Sequence, residues 1–176
     1  MIDTIKKLKN APKIIQEWIK IYGTKETIGS NSNPMILSWV KELNDPDYNW
    51  YNTDSIPWCS LAMAIVAKRA GKSIEKTTLA AKSWVNFGTA VKKTEAVLGD
   101  TLIFSRTGGG HVATYICEDS NHFYVIGGNQ GDMVGITKIL KSRLFAVRRP
   151  IYSIKMPEAC KKYFWTSKGA VSTNEQ

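Results

Sequence analysis

The apolar residues of this 176-residue chain change their period near residue 90, and that change limits the fold more than any other feature. Up to Phe87 they recur at helical spacing. From Ile2 to Tyr22 the set Ile5, Leu8, Ile14, Ile15, Trp18 and Ile21 predicts two short helices, or a helix start near Pro12, stopped by Gly23. After a loop over Thr24–Pro34, Met35–Leu43 predicts an amphipathic helix ended by the turn Asn44-Asp45-Pro46-Asp47. Leu61–Ala70 is alanine-rich, unbroken and closed by Gly71, the pattern of a buried helix. Thr78–Phe87 predicts one more helix, capped by Gly88. From Ala90 onward, short β-branched and aromatic runs (Asp100–Ser105, His111–Cys117, His122–Ile126 and Leu144–Arg148) stand between clusters of Gly, Asn and Asp. They predict consecutive strands of an antiparallel sheet.

Helices first and strands later is the α+β pattern, with N-terminal helices packed on a C-terminal antiparallel sheet. The expected layout is one domain over residues 1–152, helical to about residue 90 and sheet over about 91–152. A C-terminal helix or tail over 153–176 follows, with a short helix from Met156 and a polar end at Ser172–Gln176. There is no internal repeat.

Composition removes several function classes. Hydrophobic residues make up 43% and charged residues 22%, the balance of an ordinary globular protein rather than a disordered, collagenous or disulfide-stapled one. No run approaches the roughly 20 apolar residues that span a bilayer, so no stable membrane insertion is expected. The basic start Met1–Asn10 lacks an apolar stretch and a small-residue cleavage site, so synthesis in a cytoplasm without a secretory signal is expected. Three cysteines, Cys59, Cys117 and Cys160, are odd in number and lack CxxC spacing, which argues against a disulfide framework and a zinc site. Lys and Arg number 24 against 15 Asp and Glu, a net charge of +9, which favours an anionic partner. The basic residues are scattered, with no aromatic–basic stripe and no helix-turn-helix or zinc pattern, so nucleic acid ranks last among such partners.

One constellation carries chemistry. Cys59, in Pro57-Trp58-Cys59-Ser60, opens the predicted buried helix. A cysteine there sits beside unpaired N–H groups and the positive end of the helix dipole, both of which stabilise a thiolate. The same N–H groups can donate to a developing oxyanion. Taken alone, a small buried hydrophobe is the commoner fate of a free cysteine. His111 changes the balance, because it follows Gly108-Gly109-Gly110 at the start of a predicted strand. The glycines leave an unobstructed approach, with Gly110 lining the substrate path. A Cys–His pair needs a third group to hold the imidazole. Asn129, in Gly127-Gly128-Asn129-Gln130, lies at the end of the next strand and is the candidate; Gln130 is its rival, and a plain turn is the bland alternative.

The ordered set Pro57-Trp-Cys-Ser60, Gly99-Asp-Thr-Leu-Ile-Phe104, Gly109-Gly-His-Val-Ala113, Gly127-Gly-Asn-Gln130 and Arg148-Arg-Pro150 resembles the papain-like cell-wall cysteine hydrolases. These are the NlpC-type peptidases and CHAP amidases, and the chain is most similar to a phage-associated branch built around a PWC motif. The resemblance covers roughly Lys25 to Pro150. It implies a papain-like fold and hydrolysis of an amide bond in bacterial peptidoglycan without a cofactor. Cys59 would attack, His111 would act as base and then acid, and Asn129 would orient it. Two positions depart from the pattern: Gly127 stands where many CHAP members carry an acid, and the second histidine that NlpC members use as orienter is absent. The implied partners are the wall itself and, according to the route of delivery, a holin for a phage endolysin or an immunity protein for an exported bacteriolytic effector, with a monomer acting on the cell wall or periplasm. A catalytically inactive wall-binding module on the same fold is the alternative.

Other residues are candidates of lesser weight. Trp58 is a candidate wall of the cleft, with Trp50, Tyr51 and Trp84 weaker ones. Asp54, just before the motif, is a candidate for the free amine of a stem peptide, and Gln130 for substrate contact. Asp45, Asp47 and Asn49 alternate like calcium ligands, but Trp50 occupies the sixth position where the EF-hand has glycine, so an Asx-Pro turn is expected. His122, Cys117 and Cys160 read as structural.

Overall fold

The computed structural model describes residues 1–29, 31–166 and 171–172. It is an α+β fold in which helices lie on one face of an antiparallel sheet. The helices are α1 (Ile2–Lys6), α2 (Lys13–Ile21), α3 (Pro34–Leu43) and α4 (Cys59–Arg69). The strands are β1 (Thr89–Val91), β2 (Thr101–Arg106), β3 (Gly109–Glu118), β4 (His122–Gly127), β5 (Gly135–Leu140), β6 (Leu144–Arg149), β7 (Phe164–Trp165) and β8 (Val171–Ser172). Along the sheet the order is β1-β6-β2-β3-β4-β5, every neighbour antiparallel, while β7 joins β3 in parallel through Glu118 and Phe164. No helix among the described residues is long and apolar enough to cross a membrane.

Helix α4 is the central element. Every residue from Cys59 to Ala67 is buried, and its alanines let α2, α3 and the sheet approach on all sides, as expected of a helix apolar all round. Trp18, Trp39, Met63, Val112 and Ile126 belong to this helix–sheet core. Trp18 Nε1 donates to Thr114 Oγ1 at 2.8 Å, so the indole is satisfied where it is fully buried. The other sheet face has its own core of Leu102, Phe104, Ala113, Tyr115, Phe123, Val125, Ile139 and Leu144. Leu144 (β6) and Ile139 (β5) come from opposite arms of the sheet, so this cluster runs across β6, β2, β3, β4 and β5.

Two motifs of the sequence serve this scaffold. Arg149 donates from Nε and Nη2 to the two carboxylate oxygens of buried Asp100, at 2.9 and 2.8 Å. Arg148 donates to the carbonyls of Phe87 and Gly88, at 2.7 and 2.9 Å. The Gly99-Asp100 and Arg148-Arg149 motifs therefore pin β6 to the ends of β2 and of the preceding loop.

Two expectations are corrected. Thr78–Phe87 is a 3₁₀ segment over Ala81–Asn86 rather than an α-helix. Ser83 Oγ accepts from Thr78 N–H and donates to the Ala80 carbonyl, offering the main chain a local alternative to the α-helical ladder. No helix forms from Met156 to Thr166. That stretch runs along the sheet, with Tyr163 carbonyl accepting from Glu118 N–H at 2.9 Å and Ala159, Cys160 and Tyr163 buried. Its aromatic run Tyr163-Phe-Trp165 suits a strand, and the segment pairs with β3. The polar end expected beyond Ser172 lies outside the described residues. Finally, β1 and β5 were not expected from the sequence.

Candidate active site

Cys59 is the first residue of α4, and its N-cap, Trp58, makes no side-chain cap. The first N–H groups of the helix therefore point at the sulfur's surroundings without an intrahelical partner. The Cys59 side chain faces the sheet, where the main-chain N–H of Val112 favours its thiolate. The next residue along β3 is His111. Strand alternation puts His111 and Ala113 on the same face, and Ala113 lies against Gly127 of β4.

The side chain that meets the His111 imidazole is Gln130, and not the Asn129 expected there. His111 Nε2 meets Gln130 Oε1 at 3.2 Å. The Gln130 NH₂ group is committed to main-chain carbonyls, Gly135 at 2.6 Å and Gly127 at 3.3 Å, and a carbonyl can only accept. The amide oxygen must therefore face the imidazole, and Nε2 must carry the proton. Nδ1 is left as the basic atom of the ring. Gln130 has room because Gly127 has no side chain: a Cβ there would stand 3.4 Å from Gln130 Cδ and 2.9 Å from Ala113 Cβ. The position where the resemblance has an acid is thus filled from the neighbouring turn.

Asn129 turns the other way. It adopts a left-handed φ of +54°, as its place in a Gly-Gly-Asn turn suggests, and its Nδ2 donates to Glu26 Oε1 at 2.8 Å. The same carboxylate oxygen accepts from Trp58 Nε1 at 2.7 Å. Glu26, which sequence reasoning missed, therefore ties Trp58, the residue before Cys59, to the turn that carries Gln130. The contact spans 103 positions for Asn129, and no local pattern marks it.

Other candidates move as well. Trp58 is completely buried against Trp39, with ring centroids 6.0 Å apart, so it supports the start of α4 from behind and does not wall an accessible cleft. Gly128 packs on it so closely that a Cβ would come within 2.5 Å of Ala62 Cβ and 2.8 Å of the indole. Asp54 is buried, and its Oδ2 accepts from the main-chain N–H groups of Asn33 at 2.7 Å and Thr27 at 3.1 Å. It organises the loop before Cys59 instead of facing an amine. Trp84 and Tyr51 are buried and Trp50 is exposed. Asp45 accepts from Asp47 N–H at the start of a 3₁₀ turn, the Asx-Pro turn expected. His122 is held by Asp119 at 3.2 Å in the β3–β4 turn. Cys117 and Cys160 are buried.

Gly110 does line the accessible side. A cleft of about 290 Å³ is bounded by Cys59, Ala81, Lys82, Arg106, Gly109 and Gly110 among others. Arg106 and Lys82 were not foreseen; each is an exposed cation in a sequence rich in them.

The resting electrostatics are those of an uncharged pair. Burial pushes the Cys59 thiol up, against the opposing pull of Val112 N–H, the Arg106 guanidinium and the N–H groups of Ser60 and Cys59 itself. Burial also holds His111 at about 4; the Gln130 hydrogen bond works against this, while Arg106 and Arg143 add to it. Among the described residues no hydrogen bond joins the Cys59 sulfur to the imidazole. The arrangement offers a thiol at a helix start and, one residue along β3 from the Val112 N–H that meets it, a neutral imidazole of fixed tautomer. Compared with known protein families and with curated proteins, the chain matches none of them.

Proposed function

We propose that this protein is a cysteine-dependent amide hydrolase that cuts an amide bond in peptidoglycan. The observation that carries the reading is the placement of Cys59 at the uncapped start of a buried helix, next to a strand whose histidine has its tautomer fixed by Gln130.

In this reading the Cys59 thiol gives its proton to His111 Nδ1 as the sulfur attacks the amide carbon. The oxyanion gains hydrogen bonds from the free N–H groups at the start of α4. The imidazolium then protonates the leaving nitrogen as the C–N bond breaks. Water, deprotonated by the same imidazole, hydrolyses the thioester and restores the thiol. The papain-like relation rests on the order of the motifs. The substrate class rests on that resemblance and on a net charge of +9, which suits an anionic polymer. Delivery as a phage endolysin or an exported effector follows from the same resemblance.

A second reading, a wall-binding module without activity, draws on the burial of Cys59 and His111, 5% and 8% exposed. One experiment separates the two. Purified peptidoglycan is incubated with the wild type, Cys59→Ala and His111→Ala, and turbidity and released amines are followed. Activity in the wild type alone, with all three folded, supports the hydrolase. A folded wild type that sediments with walls and releases nothing from several wall types supports the binding module.

A further inference from the structure

The cleft beside Cys59 is walled by cations that have no acidic partner among the described residues. Arg106, at the end of β2, is exposed, and its Nε stands 3.8 Å from where a Gly109 Cβ would be. The guanidinium therefore lies over the glycine run at the cleft wall. Lys82 contributes to the same cleft and sits 5.9 Å from the Phe145 ring centroid. Arg143 faces Arg106 across an adjoining surface bounded by Ser105, Arg106, Thr107 and Arg143, and spends its Nε on the Ser105 carbonyl at 3.1 Å. Among the described residues none of the three pairs with a carboxylate, whereas Arg69, Arg149 and Lys141 each do. Like charges gathered without a counter-ion repel one another and act unfavourably on a buried imidazole beside them. An anion placed among them would relieve both effects.

We propose that Arg106, flanked by Lys82 and Arg143, binds a carboxylate that the substrate carries next to its scissile amide, which makes Arg106 the specificity-determining residue of the site. The proposal rests on the amide-hydrolase reading. A guanidinium offers two parallel N–H donors that match a carboxylate, and the cleft is small enough that the anion and the amide belong to neighbouring parts of one molecule. The bound charge also offsets Arg106 and Arg143 at His111, so the base strengthens when the substrate arrives.

The test measures binding by the Cys59→Ala protein, which cannot turn over. The probes are N-acetyl-alanyl-glutamate and its uncharged counterpart, N-acetyl-alanyl-glutamine amide. The expected result is about tenfold tighter binding of the diacid, equivalent to about 1.4 kcal/mol, with the His111 imidazole resonance titrating at higher pH in the complex. Adding Arg106→Ala abolishes the preference, and Arg106→Lys restores part of it, because an ammonium lacks the fork. Equal affinity for the two probes, or a preference that survives Arg106→Ala, overturns the proposal. The hydrolase reading is judged separately by the wild type on peptidoglycan, so a wall-cutting enzyme without carboxylate preference refutes only the proposal made here.

Discussion

The buried histidine should make folding stability fall with acid in a window of its own. In the folded protein His111 is held at about 4, first by burial and then by Arg106 and Arg143, against 6.5 for an unperturbed imidazole. The gap of about 2.5 units, at about 1.36 kcal/mol per unit, corresponds to ~3 kcal/mol. Because the folded value is depressed, the unfolded chain binds the proton first as pH falls. The stabilisation is complete above pH 6.5 and is lost progressively down to about 4. Urea denaturation of the wild type and His111→Gln, at intervals from pH 7 to about 3.5, isolates the effect. Carboxylates common to both proteins largely cancel in the difference. That difference should shrink by ~3 kcal/mol across the window, and the imidazole should titrate near 4 by NMR. A difference that stays flat within about 1 kcal/mol, or an imidazole midpoint near the unperturbed value, refutes the reasoning.

Other perturbations test the supports of the site. Glu26→Ala leaves Trp58 Nε1 buried without an acceptor, so it should cost about 2 kcal/mol and lower Tm by roughly 5 °C; Glu26→Gln should recover most of this, and an unchanged melting curve would remove the strut. Gly128→Ala drives a methyl into Ala62 and Trp58 and should cost about 1–3 kcal/mol in chemical denaturation. Gln130→Leu should lower kcat on peptidoglycan on the order of 10²-fold with the fold intact, and ¹⁵N spectra should show the Nε2–H imidazole of the wild type become a tautomer mixture. Because burial raises the Cys59 thiol above the 9.0 of a free one, inactivation by iodoacetamide should rise steeply with pH only in alkaline solution; a rate plateau from about pH 5 to 8 would mean a preformed thiolate.

What the sequence discloses is what depends on local order. The stretch from Leu61 to Ala70 reads as a buried helix because an unbroken alanine-rich run allows little else, and it is one, begun two residues earlier by Cys59. The strand starting near His111 is marked by the glycines before it and the β-branched and aromatic residues after it. Thr78–Phe87 misleads because a hydroxyl at Ser83 outcompetes the helical ladder, a choice that helical periodicity cannot register. β5 escapes because Thr137 and Lys138 interrupt its apolar pattern, although it pairs with β4 from His122 to Gly127. The choice between Asn129 and Gln130 is invisible for a related reason. Adjacent residues of a turn point in different directions, and only the positive φ of Asn129 and the empty space over Gly127 decide which one reaches the histidine. Glu26 and Arg106 matter through partners and surroundings distant in the chain, and single-sequence patterning carries no record of those.

The neutral orienter and the neutral resting pair belong together. A thiolate and an imidazolium buried side by side would each forfeit hydration, and their attraction has to exceed that loss before an ion pair persists. Here burial opposes both charges. An acidic orienter in place of Gln130 would favour the imidazolium before any substrate arrived. Gln130 fixes the same tautomer without adding charge, because its NH₂ group is anchored on the Gly127 and Gly135 carbonyls. In the proposed reaction the uncapped N–H groups of α4 would do most when negative charge develops on the sulfur or the substrate oxygen, in the transition state rather than in the resting protein. In the mechanism proposed for this protein, a lone glycine at position 127 and a glutamine three residues later would together take the place of a single acidic residue, and proton transfer would wait for the substrate.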